Sequence, residues 1–446
     1  MTCIAYFEGE YAMVERHEES ADLRRALEES GIRGLHIDED TLRAHVMRPE
    51  HLTDIVSSFG LEEGRPYLDL GRQFAIPQRL DVAGFGAALH IALKDSTAGY
   101  VMQLRQHGAP IHTRQWNYAQ KPADGNESWN TDVRMHVASV SKLITAMAMT
   151  RLLDTHGISP DAHIHPYLPS YWAKGPHIID ITFRHLMTHT SGFDTGLSDS
   201  DFQFMKSHVA AGTAGVGTYH YQNMNFGLCR ILLATINGTI SPNALFVLPW
   251  FSDFNDIVWD AITINAYRSY VESQIFASAC VSGPSLTHPG NDALAYDFPV
   301  TMGGWNSGDL TSMAGGAAWH MSVNDLMSVM NDFRRIGNIV SVSKAQQMLD
   351  RSFGIDLVQV TPAGTLYNKN GLWQNGSGQT EQALAYFLPQ DMELVVLANS
   401  RVGSPAVFFR DVVTNLYVDH LRPMFLLESI TLESSATQHA HVFSDS

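Results

Sequence analysis

Cysteine is scarce in this chain: only Cys3, Cys229 and Cys280 occur in 446 residues, an odd number at wide spacing. That excludes a disulfide framework and a clustered cysteine zinc motif, and it suits a reducing compartment. No stretch approaches the roughly 20 consecutive apolar residues that a membrane span requires. Met1 to Glu10 carry acid where a signal peptide carries base, and they hold no apolar run long enough for its core. These absences predict a cytoplasmic protein with no membrane partner. Basic charge is also short, since 29 Lys and Arg face 46 Asp and Glu and leave a formal net charge of -17. Nucleic acid and anionic membrane would repel such a chain, whereas neutral or cationic small substrates would not be repelled. No G-x-S-x-G sequence occurs, so a nucleophile elbow built on that motif is absent. Internal repeats and low-complexity tracts are missing too.

Hydrophobic content of 45% and charged content of 17% are those of a globular protein with a substantial core, in one large or two medium domains. The most informative stretch is Val137-Ala138-Ser139-Val140-Ser141-Lys142, which runs straight into Leu143 to Met149. Val140, Leu143, Ile144, Met147 and Ala148 recur at spacings of three and four, which predicts a helix burying one face with its first turn at a cleft. On that turn Ser139 and Lys142 are neighbours. A hydroxyl is a poor nucleophile until a base takes its proton, and a lysine one helical turn away can do so if burial strips its charge. Its pKa must then fall from about 10.4 to near neutrality, a difference of about 4 kcal/mol.

Taken alone, S-x-x-K is common on solvated helix starts. Two further elements accompany it: Tyr221-Gln222-Asn223, and Lys369-Asn370-Gly371 just ahead of a strand-rich region. In this order the three resemble the S-x-x-K, Y-x-N and K-T-G triplets of the serine β-lactamase and penicillin-recognising superfamily. The nearest branch is the class C β-lactamase-related hydrolases, which include family VIII esterases and D-amino-acid peptidases. Ile181 to Phe193, with its Thr188-His189-Thr190-Ser191-Gly192 core, is similar to that branch, as are Ala314-Gly315-Gly316 and Ser322 to Leu326. The resemblance spans residues 81 to 418. It implies an α+β fold in which an antiparallel sheet flanked by helices meets a mostly helical subdomain, with the active site between them. It also fixes the register on Tyr221 rather than Tyr219, which the residues alone leave open.

What the resemblance implies is a serine hydrolase of small esters or amides that needs no cofactor. Ser139 would be the nucleophile, and Lys142 or Tyr221 the base. Asn223, Lys369, Asn370 and Gly371 would supply binding and electrostatics, and the backbone N–H groups of Ser139 and Leu372 the oxyanion hole. Asn370 replaces the family's threonine, so recognition of a β-lactam carboxylate is not implied. The other readings are an acyltransferase, a D-aminopeptidase or a β-lactamase on the same site, and a scaffold descendant without activity.

Domain boundaries follow the same patterns. Residues 1-75 read as a helical extension, with one helix capped by Ser20 and another opened by Pro49. This extension is a candidate contact for a homo-oligomer. Residues 76-422 form the hydrolase domain, its helical part at roughly 145-330, and 423-446 is a polar tail. Tyr100 to Arg105, Ala383 to Leu388 and Glu393 to Leu397 read as strands, and Phe408 to Leu416 stripes a last helix. The pair His163 and His165 lacks a third ligand at a telling spacing and reads as loop histidines, so no metal is expected. His185 and His189 read as fold-supporting and His136 as a pocket neighbour. The aromatic run from Phe246 to Trp259 reads as core or as a wall of the pocket.

Overall fold

The computed structural model describes residues 78–195, 199–247, 253–290 and 292–423. The expected helices after Ser20 and Pro49, the tail beyond residue 423, and Trp250 and Phe251 lie outside the described residues. The chain divides into two compact units. In chain order the elements begin with β1 (Gln78–Leu80), α1 (Val82–Lys94), β2 (Gly99–Gln106), β3 (Ala109–Gln120), β4 (Glu127–Ser128) and β5 (Met135–His136). The helical stretch follows with α2 (Ser141–Thr155), α3 (Phe183–Met187), α4 (Phe202–Ala211), α5 (Asn223–Ile236) and α6 (Phe254–Tyr270). The chain then forms β6 (His320–Met321), α7 (Val323–Asn331), α8 (Val342–Asp350), β7 (Leu357–Thr361), β8 (Gly364–Gln374), β9 (Thr380–Leu388), β10 (Met392–Ala398), α9 (Phe409–Asp419) and β11 (Leu421–Pro423). In the smaller unit, β1 and β11 pair antiparallel with Arg79 opposite Arg422.

The larger unit is built on a seven-stranded sheet of order β4-β3-β2-β10-β9-β8-β7. Its central strands β9 and β10 are buried at every position, which is what their near-continuous apolar runs require. The meander expected around Pro389-Gln390-Asp391 is present: Met392 pairs with Leu388 and Ala398 with Gln382. β2 adds on the other side of β10, with Leu104 opposite Leu394. Helix α7, opened by a reciprocal cap between Ser322 and Asp325, packs against β10 and β2.

Helix α2 differs from its sequence pattern. Every residue from Ser141 to Thr150 is buried, so the helix is enclosed on all sides rather than along one stripe. Two of its polar side chains find partners outside the helix. Ser141 Oγ accepts from the Trp319 amide at 3.0 Å, and Thr145 Oγ1 donates to the Gly315 carbonyl at 2.7 Å. Such pairing is what makes burial of hydroxyls tolerable in a core.

Candidate active site

Ser139 sits in a tight turn, Ala138–Val140, that leads into α2. The Val137 amide donates to the Trp319 carbonyl at 2.9 Å, and the Val140 amide closes the turn onto Val137 at 3.0 Å. Ala138 adopts φ 48°, the left-handed region that a residue with a Cβ enters at a cost. The turn is therefore held in place by its surroundings. Strand β8 passes directly against it: a Cβ added to Gly371 would lie 2.3 Å from the Val137 carbonyl oxygen and 3.1 Å from the Ser139 nitrogen. Glycine is required there for close approach, not for a special φ.

Lys142, one turn along α2, is fully buried and reaches three oxygens. Its Nζ lies 2.9 Å from Ser139 Oγ, 2.6 Å from Asn223 Oδ1 and 2.7 Å from the Gly316 carbonyl. Asn223 is the first residue of α5, so the helix start presents its side chain to the amine. Tyr221, in the extended segment just before α5, puts its hydroxyl 2.6 Å from Ser139 Oγ. All four residues thus meet at one oxygen or one amine.

Burial pushes the Lys142 pKa below its ordinary value, with the Lys369 ammonium adding to the effect and Tyr221 opposing it. For Tyr221, burial alone would raise the phenol, but Lys142 and Lys369 outweigh it and the net direction is down. The two ammonium groups lie 5.0 and 5.2 Å from the centre of the Tyr221 ring. Lys142 and Tyr221 are one coupled unit, because an ammonium favours the phenolate and a phenolate favours the ammonium.

Lys369, on β8, is also fully buried, yet its pKa moves the other way. Burial would lower it, but Asp356 and Tyr221 together hold it above the ordinary lysine value. Its Nζ lies 2.6 Å from Asp356 Oδ1, while Asp356 Oδ2 accepts from the Asn370 amide at 3.2 Å. A cavity of about 390 Å³ opens over the cluster, lined by Ser139, Tyr221, Asn223, Asp356, Asn370 and Leu372, with Tyr219, Trp373, Phe408 and Arg410 completing the wall. Every predicted site residue is therefore at this cavity or hydrogen-bonded to a residue that lines it, apart from Gly371, which spaces the strand from the turn.

Asp356 and the Gly316 carbonyl also contact the site's lysines, which the motifs do not reveal. A signal for Asp356 existed: Pro362-Ala363 turns β7 back into β8, and the Asp356 amide bonds the Asn368 carbonyl at 2.8 Å, setting the carboxylate beside Lys369. In the sequence Gly316 stands out only within the Ala314-Gly315-Gly316 resemblance. His189 packs its ring against Tyr221 at 4.4 Å, and its Nδ1 accepts from the Gln222 amide at 3.3 Å and from Asn225 Nδ2 at 3.2 Å. Burial and the two lysines lower its pKa well below the usual histidine value, so the ring is neutral.

His136 lines no part of the cavity. It is fully buried, bonds Glu381 Oε2 at 3.0 Å and the Ala317 carbonyl, and reaches the site only through its edge contact with Trp373. The described aromatics between Phe246 and Trp259 do not wall the cavity either. Trp259 is core, its indole N–H donating to the Ala244 carbonyl at 3.1 Å, and Phe246 packs on that core. The pocket's rings come instead from Tyr219, Tyr221, Trp373 and Phe408. His163 forms a bridge with Thr182, and its ring lies 6.1 Å from that of His165.

Comparison with known proteins bears on the same region. The family model described as Beta-lactamase matches residues 87–417. Esterase EstB of Burkholderia gladioli is 31% identical over 123 residues, covering 25% of this chain and 30% of the esterase. The match to that curated relative thus spans under a third of its length. Among solved structures, an octameric penicillin-binding protein homologue from Pyrococcus abyssi superposes with a TM-score of 0.56 at 15% identity, covering 72% of this chain and 74% of the other. A class C beta lactamase from Rhodobacter sphaeroides gives 0.54 at 17% identity, covering 76% and 99%. These two likenesses show the fold, the expected α+β arrangement of an antiparallel sheet flanked by helices.

Proposed function

Since this chain belongs to the Beta-lactamase family of serine hydrolases, we propose that it cleaves a small-molecule ester or amide through an acyl-enzyme on Ser139, with an ester as the preferred substrate. The observation that carries the reading is the set of three oxygens around Lys142 Nζ. Asn223 Oδ1 and the Gly316 carbonyl can only accept hydrogen bonds. A neutral amine that donates to both has its lone pair left for Ser139 Oγ, which is the geometry a general base needs.

Ser139 Oγ attacks the carbonyl carbon as its proton passes to the Lys142–Tyr221 unit. The Tyr221 hydroxyl, 2.6 Å from the same oxygen, then hands a proton to the leaving group. Water attacks the acyl-enzyme by the reverse route and releases the acid. The backbone N–H groups of Ser139 and Leu372 are assigned to the developing oxyanion, at about 3 kcal/mol per donor. Lys369 supplies fixed positive charge that keeps the phenol acidic. The esterase likeness favours ester over amide, and transfer to an acceptor other than water would use the same residues.

Two accompanying readings belong to the proposal. Cys229 and Cys280 are free, which agrees with a cytoplasmic location, and no helix among the described residues is long and apolar enough to cross a membrane. The octameric homologue supports a homo-oligomer, which light scattering would test.

The decisive experiment offers p-nitrophenyl esters, nitrocefin and D-amino-acid p-nitroanilides to the purified protein, and follows fluorophosphonate labelling by mass spectrometry. Ester turnover and a label on Ser139 are expected, both lost in Ser139→Ala with folding retained. Turnover that survives in Ser139→Ala would refute the assignment.

A further inference from the structure

Lys369 is a buried cation beside the nucleophile, and an unpaired cation in such a place draws an anionic group from the substrate. Here that role is already filled from within the chain. Asp356 gives one carboxylate oxygen to Lys369 Nζ at 2.6 Å and the other to the Asn370 amide at 3.2 Å, which pins it against β8. The same carboxylate lines the cavity together with Ser139 and Tyr221. The other permanent cation of the wall, Arg410, stacks its guanidinium 4.8 Å from the Phe408 ring centre, and its Nε lies 3.5 Å from the exposed Asp411 Oδ1 without a hydrogen bond. Lys369, the cation against the Tyr221 ring, thus faces its own carboxylate. Part of the rim is apolar, with Leu372 48% and Phe408 47% exposed beside Trp373.

We propose that Asp356 is a specificity-determining residue: it occupies, as an internal carboxylate, the place of a substrate anion, and so restricts the site to uncharged acyl groups seated on Leu372, Trp373 and Phe408. This deepens the serine-hydrolase reading of Ser139 and rests on it. Asp356 touches neither the nucleophile nor the Lys142 amine in the hydrogen-bond pattern, so it acts through Lys369 and the charge of the pocket. An incoming carboxylate would have to settle beside a fixed one that already neutralises Lys369, a like-charge contact that costs affinity.

The test compares two esters of the same leaving group and similar acyl length, p-nitrophenyl butyrate and p-nitrophenyl hemisuccinate, on wild type, Asp356→Asn and Asp356→Glu. A fluorophosphonate with a plain alkyl chain reports Ser139 reactivity in each variant. Wild type is expected to prefer butyrate by about tenfold or more in kcat/KM. Asp356→Asn, which leaves Lys369 without its partner, should narrow that preference by about tenfold through a lower KM for the hemisuccinate, and Asp356→Glu should restore it. A general structural loss would slow both esters alike and leave their ratio unmoved. Wild type that labels on Ser139 yet uses the two esters equally would overturn the proposal even if Asp356→Asn fails to fold. An unchanged ratio in a folded, labelled Asp356→Asn would do the same. No labelling and no turnover of either ester would overturn the serine-hydrolase reading, and this proposal with it.

Discussion

Replacing Gly371 by alanine adds one methyl group at the close approach between β8 and the Ser139 turn. The backbone itself tolerates the change, because Gly371 is not among the residues at positive φ. The obstacle is purely one of contact: the new Cβ would lie 2.3 Å from the Val137 carbonyl oxygen, a distance real Cβ atoms essentially never show. About 0.7 Å must be found to reach even 3.0 Å. Neither side yields cheaply. β8 is paired to β9, with Gly371 opposite Ala383, and Val137 is tied through its amide to Trp319. Overpacking of this kind costs about 1–3 kcal/mol of stability. The displaced groups are Ser139 and the Leu372 amide, and a misplacement approaching 1 Å at reacting atoms costs about 10²-fold in rate. The assay is kcat/KM on a p-nitrophenyl ester, with thermal unfolding in parallel. Gly376→Ala is the control, since nothing lies within 4 Å of its added Cβ. Gly371→Ala should lose about 10²-fold in kcat/KM, while Gly376→Ala stays near wild type. Equal activities in the two variants would refute the claim that β8 must touch the turn.

Lys142 makes a pH prediction. Its folded pKa is depressed by burial, so between that value and the ordinary 10.5 the unfolded chain binds the extra proton and stability rises with pH. Denaturant unfolding across pH 7 to 10 should show wild type gaining on Lys142→Met, and a gap that does not change with pH would contradict the buried amine. Away from the site, the fully buried Arg230 pairs with Asp260 at 2.9 Å. Asp260→Asn removes the nearer of Arg230's two acidic neighbours, Asp201 being the other, and should cost about 3 kcal/mol, read as a drop in the urea midpoint; a loss under about 1 kcal/mol would show the pair to be solvent-relaxed.

The sequence by itself determined the local chemistry: Ser139 and Lys142 one turn apart, the Tyr221–Asn223 helix start, and the glycine after Lys369. Each is encoded within a few neighbouring residues, where helical spacing or a resemblance can be read directly. The strands were legible for the same reason, since the apolar runs of β9 and β10 announce burial on both faces. Tertiary structure alone decided that these pieces meet. The turn at Ser139, the start of α5, the Gly316 carbonyl and β8 are separated by up to hundreds of residues, and their distances depend on sheet register and on one close contact at Gly371. It also decided charge. Lys369 reads as a free cation in the sequence, whereas across β7 and β8 it is a cation with its own carboxylate, because pairing between strands is a long-range property that no local pattern records. For the same reason the rings of the cavity come from Tyr219, Tyr221, Trp373 and Phe408 rather than from Phe246 or Trp259, which the core takes up.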